Sequence, residues 1–289
     1  MKNLFYTIML LSFCACTKYE TRFEGPYTDP ATTGITTSRD ILFVENGVIK
    51  WTDEFLKKVE KVIVKDVAFT ARASSSNLKI AYSKASDGSI VVVDSSGANP
   101  QIVPGSVGAN CFFWHTNDKT LCFVNASLQL KTFGPAVTLD ITDLSKFIPG
   151  LNVVDAIGME MLTDGRLIGL FKATLGFQEY HYISVRGTGG YNRSLPNYLY
   201  PEWLRVSREA DPKISYGHVV YTTPRTYESV LFEPDVSGSV TTTKLRDIRW
   251  VVPAPTGKNR VGVTTNSNEL YINASSISVD AQKVTSLDW

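Results

Sequence analysis

Three histidines, a scatter of acids and two body cysteines are the side chains here that could do chemistry, and their spacing excludes more than it offers. His115, His181 and His218 are the only histidines, and no two stand at the interval by which one element presents a ligand pair to a metal. The chain has no H-E-x-x-H, no G-x-S-x-G nucleophile turn and no C-x-x-C, so no metal and no cofactor is expected. Thr256-Gly257-Lys258 has the tail of a phosphate loop without its leading glycine, and Asn259 stands where Ser or Thr is needed, so it reads as a turn. Asp87-Gly88 and Asp164-Gly165 are pairs that tight turns demand. Acids for a glycosidase pair are plentiful, but the sequence sets no separation between them.

Two constellations remain. Cys111 and Cys122 flank Trp114 to Lys119, a turn-like stretch. They read either as a disulfide across a hairpin, permitted outside the cytoplasm, or as two small apolar residues on neighbouring strands. Phe171 to Trp203 is dense in aromatic rings, and Arg186 to Glu202 is long for a hairpin connection and lacks a strand pattern. Long loops on a rigid scaffold often carry function. Arg186, Tyr191, Tyr198, Tyr200 and Trp203 are therefore the candidate ligand-binding residues, suited to stacking on a sugar or gripping a peptide; the competing reading packs these rings into the core.

The elements that must position them are strands. Asn77 to Ser83, then Asp87-Gly88, then Ser89 to Asp94, then Gly97-Ala98-Asn99-Pro100 and Gln101 to Val103, is a meander of short β-branched runs between turn signals. A strand-turn-strand core recurs at Asp40–Trp51, Cys111–Leu130, Arg166–Ile183, Gly217–Phe232 and Arg260–Ile272. The cores lie roughly 40 to 50 residues apart, the spacing of four-stranded propeller blades. The expected fold is all-β, a β-propeller of six four-stranded blades, with five or seven blades and a two-sheet sandwich as alternatives. Only Asp53 to Ile63 has a helical face, from Phe55, Leu56 and Val59, or else it is a loop into a strand over Lys61 to Val64. Residues 77–103 resemble one blade of the TolB-like, WD40-like propellers.

At the amino terminus, Lys2 precedes an apolar run from Leu4 to Phe13. It falls well short of the about 20 residues a membrane helix needs and has signal-peptide length. The run ends Leu11-Ser12-Phe13-Cys14-Ala15-Cys16, which resembles the lipobox of bacterial lipoproteins, with small Ala15 ahead of Cys16. The resemblance implies a signal peptide over 1–15, lipidation of Cys16, and a membrane partner through the lipid. Thr17, rather than Asp, implies the outer membrane, facing periplasm or cell surface. Residues 16–38, rich in Thr, Pro, Gly and charge, read as a tether, and 39–289 as the propeller domain. With 29 basic and 28 acidic residues, a nucleic-acid partner has no electrostatic support. The expected function is an envelope-anchored, non-catalytic binding or scaffolding propeller for a glycan or an envelope protein. The alternative is a polysaccharide-active hydrolase or lyase using the central pocket.

Overall fold

The computed structural model describes residues 40–289 apart from 110, 188–189, 196–198, 208–213, 221–225, 235–239, 254–259 and 273–274, with backbone alone for 199, 218–220, 226–228, 230–234, 240–246 and 260. The expected signal peptide 1–15, the expected tether 16–38 with Cys16, Tyr198 and Thr256-Gly257-Lys258 lie outside the described residues.

Turn chemistry sets the pairing. Asn46 and Gly47 both take positive φ, 50° and 76°, the type I′ geometry whose twist suits a hairpin. They join β1 (Ile41–Glu45) to β2 (Val48–Thr52), in register from Glu45↔Val48 to Ile41↔Thr52. β3 (Val59–Lys61) adds to the outer edge, and β23 (Val284–Asp288) takes the inner edge against β1. The other sheets are meanders in chain order. One is β4 (Ala68–Ala73), β5 (Lys79–Lys84), β6 (Ile90–Asp94) and β7 (Gln101–Ile102). The next is β8 (Cys111–Trp114), β9 (Leu121–Val124) and β10 (Leu130–Phe133). Then come β11 (Asn152–Met161), β12 (Leu167–Leu175), β13 (Gln178–Arg186) and β14 (Tyr191–Ser194). The last two are β15 (Leu199–Val206) to β16 (Ile214–Val220), β17 (Thr226–Pro234) and β18 (Val240–Arg246), and β19 (Ile248–Pro253) to β20 (Arg260–Thr264), β21 (Glu269–Ile272) and β22 (Ser275–Ser278).

These are propeller blades, and β1 shows why their middle strands are apolar throughout. Successive side chains of a strand point to opposite faces, and here both faces are covered. Ile41 and Phe43 pack with Val261, Leu270 and Leu287 on one side. Leu42 and Val44 pack with Trp51, Tyr82 and Val91 on the other. Each such side chain contributes about 1.5–3 kcal/mol of burial.

Two expectations need correction, and a third is decided between its two readings. Among the described residues there are five four-stranded blades, not six; the sheet β8–β10 has three strands. After β10 the chain turns away at Gly134-Pro135, with Gly134 at φ 112°, and proline offers no N–H to a ladder. It returns to the β10 edge only through the bridge Gln129↔Asp143, and Asp143 then caps a 3-10 turn over Leu144–Lys146. Of the two readings of residues 53–63, the helix gives way to the loop that leads into a strand. Asp53 Oδ1 accepts from the N–H of Phe55 and of Lys57, at 2.9 and 3.0 Å, and Leu56 takes φ 55°, so the chain bends into β3, which begins at Val59. The stretch 186–202 is not one long loop: it contains β14, paired from Tyr191↔Val185 to Ser194↔Tyr182, and the start of β15. Its polar outer-edge sequence hides the strand.

Candidate functional site

The innermost strands share a device. In five of them, β4, β11, β15, β19 and β23, pairing with the neighbouring strand skips Phe69, Ile157, Glu202, Arg249 and Thr285 respectively; β11 skips Val154 as well, and β8 pairs without a skip. A β-bulge of this kind bends the strand and re-aims the extra side chain. All five line one cavity of about 640 Å³ enclosed by the inner strands. Phe69, 57% exposed, and the exposed Glu202 mark its mouth.

Three residues beyond each bulge stand Arg72, Glu160, Arg205, Val252 and Asp288. The four charged members are buried and meet at the centre. Arg72 Nη2 bonds Glu160 Oε1, and Arg72 Nε lies 3.4 Å from Asp288 Oδ1. Arg205 Nε lies 3.9 Å from the same carboxylate and donates to the Leu287 carbonyl at 2.8 Å. Asp288 Oδ2 accepts the Ala73 N–H at 2.8 Å, and the Ser286 hydroxyl exchanges hydrogen bonds with the Ala71 backbone at 3.3 and 3.1 Å. The carboxyl-terminal strand is thus bonded to β1 on one edge and to β4 beyond it. Burial, partly offset by Arg72, pushes the Glu160 carboxyl up. Burial and the neighbouring Arg72 push Arg205 down to about 9. Arg72 and Arg205 line the cavity with Cys111.

Tryptophans brace the ring. The Trp203 and Trp250 rings stack at 4.8 Å and 16°. Trp203 Nε1 donates to the Arg249 carbonyl at 3.0 Å, and Trp250 Nε1 to the Val284 carbonyl at 3.2 Å, each tying its blade to the next. Arg205 sits 5.5 Å over the Trp250 ring. A Cβ at Gly217 would collide with the Trp203 indole, so glycine there lets the ring lie against β16.

The residues singled out in the sequence are dispersed. Trp203 is 3% exposed, bracing two blades and lining the cavity. Arg186 Nη1 donates to the Phe147 carbonyl at 3.2 Å and its guanidinium lies 5.9 Å over the Phe147 ring. Tyr191 packs against the core between two blades, where burial pushes its hydroxyl up to about 12. Tyr200 is 49% exposed and meets His181 edge-on at 6.3 Å. Of the histidines, His115 Nδ1 accepts the Asn117 N–H in a turn after β8, His181 is on β13, and His218 is on β16. Cys111 and Cys122 are free thiols. Cys111 faces Val124 and Phe113 faces Cys122, so the cysteines are diagonal neighbours, roughly 7–8 Å apart, beyond a disulfide's usual span. Burial pushes Cys111 up, and Cys122 up to about 12.

The charged ring was missed in the sequence. Its signal is a single charge flanked by apolar residues, as in Met159-Glu160-Met161, Leu204-Arg205-Val206 and Leu287-Asp288-Trp289.

No protein-family model matches the chain, and no curated protein is similar to it in sequence. Among solved structures it is similar to the crystal structure of a nidogen/laminin complex, at 14% identity over 87% of this chain and 98% of that one, with a TM-score of 0.60. It is also similar to hydrazine synthase of Kuenenia stuttgartiensis, at 11% identity over 86% and 80%, TM-score 0.51. A structure assigned to TolB of Agrobacterium tumefaciens gives 14% identity over 73% and 83%, TM-score 0.45. The first two likenesses define the class by fold alone: an all-β propeller.

Proposed function

We propose that this protein is an outer-membrane lipoprotein, anchored through Cys16 and tethered by residues 16–38, whose propeller is a non-catalytic binding or scaffolding module for a glycan or an envelope protein. The observation that carries the binding reading is the pairing of an open mouth with a locked floor. Five bulged residues on five separate strands converge on one cavity, and a rigid scaffold presenting convergent side chains in a concavity of this size suits ligand capture. The two buried carboxylates at its base, Glu160 and Asp288, are occupied by Arg72, Arg205 and the Ala73 N–H. Neither is placed to work as a free acid or base, which favours binding over hydrolysis.

Two measurements test this. Fatty-acid labelling is expected to be lost in Cys16→Ala and kept in Cys14→Ala; continued labelling of the Cys16 variant contradicts the anchor. The full chain is expected to retain an unprocessed glycan or an envelope protein, and Phe69→Asp at the mouth to abolish retention with an unchanged melting temperature. Release of cleaved glycan instead points to the enzyme.

A further inference from the structure

The cavity floor holds a donor that the fold does not use. Arg205 gives Nε to the Leu287 carbonyl at 2.8 Å, Nη1 to the Leu204 carbonyl at 2.7 Å and Nη2 to the Ser286 hydroxyl at 3.4 Å. Arg72 gives Nη2 to Glu160 and holds Nε 3.4 Å from Asp288 as an ion pair, and its Nη1 has no hydrogen-bond acceptor among the described residues. The Arg72 side chain is only 8% exposed, and what it exposes lines the cavity. A charged donor held that deep is costly unless water or a ligand accepts from it.

The lining itself carries more cations than acids. Among residues lining the cavity, Arg72, Lys84, Arg205 and Arg249 are cations, and Glu202 at the mouth is the acid. Glu160 and Asp288 offset the two central arginines from behind, and Asp87 holds Lys84 at 3.4 Å. Arg249 donates to the carbonyls of Ala281 and Gln282, at 3.0 and 2.7 Å. Phe69, Phe112, Trp203 and Trp250 supply apolar wall, and the volume is that of a small-molecule site.

We propose that the central cavity takes a small organic carboxylate with an apolar body, its carboxylate accepting from Arg72 Nη1 at the floor and its body lying against Phe69 and Phe112. This goes beyond the glycan or envelope-protein reading by adding a small-molecule ligand, and rests on the cavity being a ligand site. Calorimetric titration of the full chain with 1-naphthylacetate, with its amide and with 1-naphthylethylamine tests it. The acid is expected to saturate in the high-micromolar range, the amide to bind about tenfold more weakly for want of charge, and the amine not at all. Glu202→Gln, removing a like charge at the mouth, is expected to tighten the acid about threefold at low salt. Arg72→Lys keeps the charge but loses the fork and is expected to weaken it about tenfold. If that variant does not fold, the acid–amide comparison and Glu202→Gln decide. An amide binding as well as the acid, an acid that fails to saturate, or Glu202→Gln weakening it each overturns the proposal. Failure of the acid while Phe69-dependent retention of a macromolecule persists overturns the ligand class alone and leaves the binding module standing.

Discussion

The aromatic-rich stretch from Arg186 to Trp203 and the central ring of Arg72, Glu160, Arg205 and Asp288 make opposite impressions in the sequence and in the fold. The first is contiguous and conspicuous, yet the fold disperses it. Arg186 reaches toward Phe147, Tyr191 enters an inter-blade core, Tyr200 lies outside against His181, and Trp203 turns inward to stack on Trp250. The second is four isolated charges spread over more than two hundred residues of chain, and the fold gathers it into one buried network. In a ring of blades, neighbourhood is set by position within the repeat, so equivalent residues of different blades meet and neighbours in sequence need not.

The largest effect that sharpens this comparison should come from the ring. Arg72→Ala leaves Glu160 buried without its cation, and breaking a buried pair from one side typically costs about 3–5 kcal/mol. Equilibrium unfolding in urea should show that loss; a change within error would mean the ring does not hold the propeller together. Trp203→Ala follows, at about 3 kcal/mol for an emptied aromatic site, because two blades lose their shared stack. Tyr200→Ala, only a few residues away, should change stability by less than about 0.5 kcal/mol, as an exposed position does. Equal effects at Trp203 and Tyr200 would return the stretch to a single functional unit.

How much of this was legible follows from where each strand sits. The middle strands of the blades bury both faces, so Ile41–Val44, Ile90–Val93 and Leu121–Val124 read as unbroken apolar runs. The outer strands face solvent: Tyr-Asn-Arg-Ser of β14 and Ser-Ser-Ile-Ser of β22 carry no alternation to read. Five of the inner strands are obscured for the opposite reason, since they mix apolar packing residues with a bulge and, in four of them, a ring charge. The pairing of β23 with β1 has no local signal, because it joins the two ends of the propeller. The meander, and through it the propeller, was therefore visible in hairpins. The cavity appears only once the ring closes.

The most direct test of the central claim, that the partner is held at the cavity mouth and not along the 186–203 stretch, is photo-crosslinking in intact cells from a reactive residue placed at Phe69 or at Tyr200. Both side chains are about half exposed, at 57% and 49%, so either site accepts the probe without disturbing the core. The account predicts a discrete crosslinked species from position 69 and none from position 200. A species from position 200 alone would contradict it.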